Sequence, residues 1–441
     1  MGEFMLNEEF LKRMKDYLKD EYDSFLASYN DNNIRAFSIN KNVISNELFE
    51  SIFDYNIKRI PYLDNGYYLM EENVKMGFHP LHHAGALYMQ DPSAMCVCES
   101  LDFPSNLLVL DLCAAPGGKS IQLAQKLSNG ILISNEIDKD RVKALYSNIE
   151  RMGLKNVIVT NNAPSDFLKN FKNSFDMILI DAPCSGEGMF RKYPESQELW
   201  SLENVKVCHN RDIEIVDIAH QLLKKDGILI YSTCTFAKEE NEDIVSYLIE
   251  KYNYSQIDVK DNIKSVLKEG FIPKTYRFYP HLVDGEGQFL AILQKNDGEI
   301  NDLKTYTKFT KSVEFDEFCK KNLNEKITNI VQRKDDLYYY TAPFDLSSLR
   351  VLNYGVRLGE VYNKRFIPNH NFFKAFPYLF NSSLNIDYKD DMVSKYLRGE
   401  QIFSNVLNGF GVLKINNIAL GGYKANSGNL NNYYPKGLRN F

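Results

Sequence analysis

The stretch LLVLDLCAAPGGK, residues 107–119, decides the fold, because an apolar run ends there in small residues and two glycines before a helical segment begins. A short apolar run bounded by turn residues indicates a buried strand, and the glycine turn lets the backbone approach a ligand closely. Four further runs of this kind follow, separated by helical segments: ILISNEI (131–137), VIVT (157–160), FDMILID (175–181) and GILIYST (227–233). This alternation predicts an α/β fold with a doubly wound, mostly parallel sheet. GQFLAILQK (287–295), after another β-like run around Tyr276–His281, is expected to supply antiparallel edge strands.

The regions on either side of this sheet differ from it in character. Phe10, Met14 and Leu18 recur at helical spacing, and the stretch of about 5–55 is predicted to be helical. A polar linker is expected at 296–299, and the C-terminal end is rich in Gly and Asn. The expected domains are an N-terminal helical lobe (1–75), a core (76–297) and two small C-terminal domains (298–385 and 386–441).

Composition restricts the compartment and the chemistry. The chain has no run of eighteen apolar residues, and its first eighteen residues lack an apolar signal core, so a cytoplasmic protein is expected. Seven cysteines, an odd number, fit a reducing compartment better than a disulfide framework. The sequence contains neither CxxC nor HExxH, and we therefore expect no metal.

The charge is distributed unevenly along the chain. The net charge of −6 by itself argues against a nucleic-acid partner, but residues 301–441 carry 20 Lys+Arg against 13 Asp+Glu. The last 41 residues contain Lys414, Lys424, Lys436 and Arg439 and no acidic residue. Such asymmetry is typical of a module that faces a polyanion. A chance excess of basic residues on a solvated surface stays an open alternative.

The glycine turn favours an adenosine ligand over a dinucleotide. Residues 111–119 lack the spacing of a phosphate-binding loop, and Pro116 removes an amide that a pyrophosphate cradle would use. Glu136 stands 25 residues after Asp111, at the end of the second run, where a carboxylate accepts hydrogen bonds from ribose hydroxyls. The third run ends in Asn161-Asn162, which is either an adenine contact or a turn.

Two cysteines follow neighbouring strands of the predicted sheet. Cys184 stands in DAPCSGEGMFRK (181–192) and Cys234 in STCT (232–235), and both strand ends lie on the edge that carries the glycine turn. A lone cysteine on a strand is usually a core residue, but two at adjacent strand ends suit catalysis. A thiolate that adds to carbon 6 of cytosine lets carbon 5 attack a sulfonium methyl group. Asp181 then hydrogen-bonds the cytosine amino group or shares a proton at ring nitrogen 3.

Together these motifs resemble the NSUN (Sun) family of RNA cytosine-5 methyltransferases. HHAGALYMQDPSAM (82–95) and HLVDGEGQF (281–289) resemble the same family, while VRLGEV (356–361), YLRGE (396–400) and NLNNYYPKGLR (429–439) resemble its bacterial rRNA branch. The resemblance implies a Rossmann-like methyltransferase core that uses S-adenosylmethionine, followed by a ferredoxin-like unit and a PUA-like RNA-binding domain. The implied partner is small-subunit rRNA, naked or in the 30S subunit, and the enzyme is expected to be a monomer.

The resemblance also implies roles for single residues. Cys234 is the nucleophile, Cys184 assists product release, and Asp181 and Lys119 complete the catalytic set. The family often has an aspartate after the third strand, where this chain has Asn162-Ala163. The expected cofactor contacts are Cys113, Ala114, Ala115, Pro116, Gly117, Gly118, Lys119, Glu136, Asn162 and Asp181. The expected RNA contacts are Arg191, Lys192, Lys424, Lys436 and Arg439, and Tyr423, Tyr433 and Tyr434 either stack on bases or fill a small β-core.

Other classes of function stay open at this point. A DNA cytosine methyltransferase would carry its nucleophile in the proline-cysteine motif, and the presence of Cys234 disfavours it. A ribosome-assembly factor with residual cofactor binding is disfavoured by the intact pair of cysteines. The same chemistry on tRNA is a further alternative.

Overall fold

The computed structural model describes residues 6–31, 35–303 and 309–439. Residues 1–5 and 32–34 of the expected N-terminal lobe lie outside the described residues. The first helix begins after Asn7, whose Oδ1 accepts a hydrogen bond from the Glu9 amide (2.9 Å). It buries Phe10, Met14 and Leu18 against the central domain. The helices of the N-terminal part are α1 (Glu8–Leu18), α2 (Tyr22–Ala27), α3 (Asn46–Ile52) and α4 (Pro80–His83).

The N-terminal part also contains a four-stranded antiparallel sheet. Its strands are β1 (Arg35–Ile39), β2 (Ile57–Arg59), β3 (Gly66–Leu69) and β4 (Leu87–Met89), paired in the order β2-β3-β1-β4. The prediction of helices throughout 5–55 is therefore wrong for β1. Ala36, Phe37 and Ile39 are all buried, on both faces of the sheet, so the segment lacks the alternation that identifies a strand. The expected boundary at residue 75 divides this unit, because β4 lies beyond it.

The central domain is built on a ten-stranded sheet. Five strands lie side by side and run parallel, as the sequence predicts, in the order β9 (Leu223–Thr233), β8 (Phe175–Asp181), β5 (Leu108–Asp111), β6 (Ile131–Asn135) and β7 (Val157–Thr160). The antiparallel strand β13 (Gln288–Lys295) follows β9 and pairs on its other side with β12 (Thr275–Phe278), which confirms the antiparallel strands expected on this side of the sheet. The elements are α5 (Pro92–Glu99), β5 (Leu108–Asp111), α6 (Gly118–Lys126), β6 (Ile131–Asn135), α7 (Arg141–Arg151), β7 (Val157–Thr160), β8 (Phe175–Asp181), α8 (Leu202–Leu222), β9 (Leu223–Thr233), α9 (Glu242–Tyr252), β10 (Tyr254–Ile257), α10 (Asp261–Lys264), β11 (Lys268–Glu269), β12 (Thr275–Phe278) and β13 (Gln288–Lys295).

The strand order reverses between β5 and β8. From β5 the chain proceeds outward to β6 and β7, and it then returns to the other side of β5 to form β8 and β9. In a doubly wound sheet, ligands bind beyond the carboxyl ends of the strands at such a switch point. Apolar side chains cover both faces of the parallel strands, as expected for a sheet buried between helices. The ends of β5, β6, β8 and β9 therefore define where a site belongs.

Two smaller domains, each with its own sheet, follow the central domain. The first contains α11 (Val313–Asn322), β14 (Ile330–Arg333), β15 (Asp336–Tyr340), β16 (Val351–Asn353), β17 (Gly355–Tyr362), β18 (Arg365–Pro368) and α12 (His370–Ala375). Strands β14, β15, β17 and β18 pair in chain order, whereas a ferredoxin-like unit alternates strands and helices as βαββαβ. The element order of this sheet domain therefore differs from the expected one. Strand β16 leaves it and pairs antiparallel with β7 of the central sheet.

The last sheet domain ends the chain. It contains β19 (Ser383–Ile386), α13 (Asp391–Leu397), β20 (Ile402–Phe403), β21 (Gly409–Ile415), β22 (Ile418–Asn426) and β23 (Asn429–Asn432). The strands pair in the order β19-β21-β22-β23-β20, so the expected boundary at 385/386 falls inside β19. Within the described ranges, none of the helices has the length and apolarity that crossing a membrane requires.

Candidate active site

The glycine turn between β5 and α6 is held in place from three sides. The Ala114 amide donates to the Asn135 carbonyl at the end of β6 (2.8 Å), and Arg141 of α7 donates to the Ala115 carbonyl (2.8 Å). Gly117 has φ +115°, which side chains disfavour. A Cβ on Gly118 would stand 3.0 Å from side-chain atoms of Tyr88 and Gln90. The chain therefore passes close to the N-terminal unit, and its backbone borders the space beyond β5.

Two buried carboxylates near this turn each have an oxygen without a hydrogen-bond partner among the described residues, Asp111 Oδ1 and Glu136 Oε2. Ser120 donates to Asp111 Oδ2 (2.6 Å), and burial raises the pKa of Asp111 to about 7. Glu136 Oε1 accepts from the Asp138 amide (2.9 Å). A buried polar atom that no protein group satisfies costs about 1–3 kcal/mol, so a ligand that donates hydrogen bonds fits both positions.

The side chains of Asn161 and Asn162, which follow β7, form hydrogen bonds with Arg350. The Asn162 side chain donates through Nδ2 to the Arg350 carbonyl (3.2 Å) and accepts at Oδ1 from the Arg350 amide (2.9 Å). Asn161 accepts at Oδ1 from the Arg350 guanidinium (2.9 Å). These groups join the central domain to the segment that leads into β16. Both polar atoms of the Asn162 side chain therefore already have a partner, and its contact with adenine stays a prediction.

The two predicted cysteines meet at the carboxyl ends of β8 and β9. Their sulfur atoms, Cys184 Sγ and Cys234 Sγ, are 3.2 Å apart, and both are free thiols. The hydrogen bond with Cys234, together with burial, raises the pKa of Cys184 well above its ordinary value. Either sulfur can donate the hydrogen bond that joins the pair. A thiol beside a thiolate stabilises the reactive form of a cysteine by donating to it, so the pair suits nucleophilic catalysis.

Asp181 stands at the end of β8 with three donors around its carboxylate. Lys119 Nζ lies 2.8 Å from Oδ2, Ser232 Oγ donates to Oδ1 (2.8 Å), and Gln288 Nε2 donates to Oδ1 (3.3 Å). Burial lowers the pKa of Lys119, but the charge of Asp181 outweighs it and the net pKa is raised. Lys119 therefore stays a cation, and the three donors fix the orientation of the carboxylate.

Several of these groups line one cavity of about 260 Å³, whereas Glu136, Gly117 and Cys184 are not part of its wall. The predicted residues in its wall are Cys113, Ala114, Ala115, Pro116, Gly118, Lys119, Asp181, Lys192 and Cys234. Eight further wall residues were not singled out from the sequence: Tyr88, Met89, Gln90, Asp91, Ser93, Ala94, Met189 and Gln288. Seven of the eight lie in two segments that already carried the family resemblance, 82–95 and 281–289, and Met189 lies in 181–192. The family resemblance therefore indicated the segments that form the wall. The sequence did not distinguish the residues that line the cavity from their neighbours in those segments.

A buried polar segment supports both cysteines from behind. Asn241 accepts from Thr233 Oγ1 (2.6 Å) and donates to the Thr235 carbonyl (2.9 Å), and so holds both neighbours of Cys234. Glu240 Oε2 accepts from the Ser185 amide next to Cys184 (2.8 Å). Burial raises the pKa of Glu240 to about 7. These side chains are fully buried, which fixes the loops that carry the thiols.

The predicted RNA-contacting residues divide into two groups. Lys192 lines the cavity, and Lys424 and Lys436 are exposed. Arg191 is an ion pair with Glu286 (3.2 Å), and its side chain is only 9% exposed. The expectation that Arg191 contacts RNA is wrong, because its guanidinium is enclosed by protein. Arg439 is half-buried against Gly399, where an added Cβ would stand 2.2 Å from its guanidinium. Tyr423 and Tyr434 are buried, as the β-core alternative anticipates.

The sheet order and the site define the doubly wound class of methyltransferases. A methyltransferase homologue from Pyrococcus horikoshii, at 25% identity and a TM-score of 0.56, matches 66% of this chain and 96% of its own. NSun6 from Pyrococcus horikoshii, solved with SFG, has a TM-score of 0.57 at 21% identity over 66% of this chain and 99% of its own, which supports the fold alone.

Sequence comparisons identify the family. Four family models match: the N-terminal domain of 16S rRNA methyltransferase RsmF (6–92), 16S rRNA methyltransferase RsmB/F (99–294), the RsmF first C-terminal domain (317–376) and the RsmF PUA domain (383–440). A protein named ribosomal RNA small subunit methyltransferase F from Vibrio cholerae is 31% identical over 72% of each chain. Its namesake from Shewanella amazonensis is 29% identical over 91% of each. The chain belongs to the RsmB/F family.

Not every relative is matched along its full length. The namesake from Aliivibrio fischeri strain MJ11 is 36% identical over 55% of this chain, and the match spans 53% of that relative. The match to strain ES114 spans 58% of the relative.

Proposed function

We propose that the chain transfers the methyl group of S-adenosylmethionine to carbon 5 of a cytosine in small-subunit rRNA, through a covalent bond from Cys234 to carbon 6. The observation that carries the proposal is the thiol pair, 3.2 Å apart, of which Cys234 lines the cavity that also holds Asp181 and Lys119. Cytosine C5 methylation needs a sulfur nucleophile, a group that recognises the base and an adjoining cofactor site. The described residues supply groups suited to all three.

The residues beside the glycine turn fit the cofactor. Glu136 Oε2 is buried without a hydrogen-bond partner among the described residues, with Arg141 Nη1 3.7 Å away, and is suited to accept from ribose hydroxyls. Asp111 Oδ1 has the same character and is suited to the ammonium group of the methionine part. Cys113 to Pro116, Gly118 and Lys119 of the turn line the cavity that Asp111 also borders. When bound, S-adenosylmethionine supplies an electrophilic methyl group.

Cys234 begins the reaction as the nucleophile. Its thiolate adds to carbon 6, and the electron pair of the ring double bond moves to carbon 5, which then takes the methyl group. The Cys184 thiol stabilises that thiolate by donating to it. Asp181 is suited to accept from the cytosine amino group, whereas uracil presents an oxygen there and would be repelled. Lys119 and Ser232 keep the carboxylate oriented.

Release reverses the addition. A base removes the proton from carbon 5, the ring double bond re-forms, and the Cys234 sulfur leaves as a thiolate. The Cys184 thiol donates to that sulfur and stabilises the charge that develops on it. Cys184 therefore assists product release.

RNA is expected to approach from the side of the C-terminal domains. Lys192 stands in the cavity wall, where it can contact the phosphate beside the target base. Lys424 and Lys436 are exposed on the last sheet domain and suit phosphate contacts. We propose that the enzyme acts as a monomer in the cytoplasm, on naked rRNA or on the 30S subunit, where the free thiols stay reduced.

The test uses small-subunit rRNA that carries tritium at carbon 5 of its cytosines. Methyl transfer at that carbon releases tritium to water, and the release should require both S-adenosylmethionine and Cys234. The matched control is Cys319→Ala, which removes a buried thiol in another domain. Methyl incorporation without tritium release would place the methyl group on another atom. Release from tRNA or DNA in preference to rRNA would establish one of the alternative substrates, and no release from any of them would favour an assembly factor.

A further inference from the structure

A groove of about 770 Å³ separates the two C-terminal sheet domains. One wall is α11, the second is the hairpin β17–β18, and the floor comes from β21, β22 and the segment after β23. We propose that this groove binds a single-stranded segment of the RNA substrate, with phosphates at its rim and a base against its aromatic floor. The inference rests on the proposed function, because it assigns a second contact site to the same RNA.

Four cations line the groove, and none of them forms an ion pair within the part of the chain that the structure describes: Lys321, Lys364, Arg365 and Lys424. Each is exposed. Glu314 and Glu317 stand on the α11 wall, so the groove keeps an excess of positive charge. Cations that converge without carboxylate partners are suited to a polyanion, since phosphate contacts release counterions on binding.

The hairpin presents two of these cations on a defined backbone. Asn363 and Lys364 have φ of +48° and +58°, the left-handed pair that closes a two-residue β-hairpin. The turn places Lys364 and Arg365 side by side at the rim. Because the hairpin belongs to a four-stranded sheet, these charges stand on a fixed element and need little ordering to bind.

The floor of the groove is aromatic. The ring centroids of Phe410 and Tyr433 lie 5.3 Å apart, and Phe318 lies 5.2 Å from Phe410. Lys424 Nζ stands 5.3 Å from the centre of the Phe410 ring. Tyr362 at the rim is 61% exposed, although an aromatic ring of this size gains from burial. Aromatic faces next to cations are what single-stranded nucleic acid requires, because its bases are free to stack on protein.

A single strand fits better than a duplex or an acidic peptide. In a duplex the bases are already stacked and cannot use the aromatic floor. An acidic peptide would satisfy the cations but has no flat ring for Phe410 and Tyr362. The target cytosine must itself leave any helix to reach Cys234. A groove for unpaired nucleotides in the same protein is consistent with that requirement.

The experiment compares two double charge reversals in the full-length chain. Lys364→Glu/Arg365→Glu changes the groove, and Lys169→Glu/Lys172→Glu makes the same change in net charge at exposed central-domain lysines outside it. The probe is a fluorescein-labelled single-stranded RNA of mixed sequence, followed by anisotropy across salt concentrations. We expect the groove variant to bind at least about 10-fold more weakly, with a salt slope smaller by about 1.4 for two lost phosphate contacts. The control should bind much as the unaltered chain does.

Tyr362→Ala tests the stacking part separately. It should weaken binding of the single strand by about 5- to 150-fold without changing the salt slope, and leave binding of an RNA duplex unchanged. Equal losses in the groove and control reversals, or a larger loss for duplex or polyglutamate than for single strand, overturn the inference. Tritium release tells the two hypotheses apart. If the unaltered chain releases none, the proposed function fails, whereas an active enzyme whose groove variants bind RNA normally overturns the groove alone.

Discussion

Cys184→Ala should convert a transient covalent complex into a stable one. In the structure Cys184 Sγ lies 3.2 Å from Cys234 Sγ, within hydrogen-bond distance. Under the proposed mechanism the Cys184 thiol donates to the Cys234 thiolate and stabilises it, but not after the Cys234 sulfur has bonded to carbon 6. Removing Cys184 therefore destabilises the free thiolate alone, and the balance between adduct and released enzyme shifts toward the adduct.

The size of the shift follows from the kind of hydrogen bond that is lost. A hydrogen bond to a charged group contributes about 1.5–3 kcal/mol, which corresponds to about 10- to 150-fold in the equilibrium or in the rate of elimination. Methyl transfer within the first turnover should still occur, because Cys234 is intact. Repeated turnover should fall by about the same factor as elimination. Cofactor affinity should change little, since the thiol pair lies at the base side of the cavity.

A denaturing gel with radiolabelled rRNA measures the adduct directly. Cys184→Ala should give a slowly migrating protein–RNA band, and Cys234→Ala and the double variant should give none. Cys319→Ala is the matched control for loss of a buried thiol elsewhere. A band formed by Cys234→Ala instead would reverse the two roles and refute the assignment. Full turnover by both single variants would refute the covalent mechanism.

Three further predictions concern the groups around the thiols. Glu136→Ala should weaken cofactor binding by about 1–3 kcal/mol in calorimetry, since ribose hydroxyls lose a charged acceptor, and unchanged affinity would remove Glu136 from the site. Burial, with Glu240 nearby, raises the pKa of Asp212 to about 8. Asp212 therefore loses its proton at a lower pH in the unfolded chain than in the folded chain. The free energy of unfolding should fall by up to about 1.4 kcal/mol per pH unit as the pH rises from about 4 to 8. Asp212→Asn should flatten that slope in thermal unfolding, and an unaltered slope contradicts the assignment. Asn241→Ala should lower kcat at least about 10-fold by releasing Thr233 and Thr235, while cofactor Kd stays within about twofold; equal losses in both would indicate general unfolding.

The central sheet was predictable because its signals are local. Each parallel strand is a short apolar run with a turn or helix after it, and Gly117 marks the first strand-to-helix turn. The N-terminal sheet was missed for the opposite reason. Strand β1 is buried on both faces and β2 is three residues long, so neither shows alternation. The strand order of the domain that contains β14, β15, β17 and β18 depends on which strands pair with one another, and the composition of the segments does not determine that pairing.

The site was predictable where chemistry and strand ends coincide. Cys184, Cys234 and Asp181 follow two strands of one sheet, and the structure brings them together as that placement requires. Contacts between distant segments could not be foreseen in the same way. Arg191 is of a residue type that commonly contacts RNA, but its guanidinium forms an ion pair with Glu286, 95 residues away. Asn162 bonds to Arg350 across 188 residues. Only the folded chain shows such partners.

Strand β16 has a consequence for dissecting the protein. It covers the outer edge of β7, and the backbone of Arg350, just before β16, forms a hydrogen bond with the Asn162 side chain. A chain ended at the linker near residue 297 would keep every catalytic residue but leave β7 as a bare edge, open to pairing with other chains. Such a truncation should aggregate or bind cofactor poorly for reasons unrelated to RNA. The smallest unit worth isolating therefore extends past residue 353. In this chain the central sheet is completed by a strand that the sequence places in the following domain.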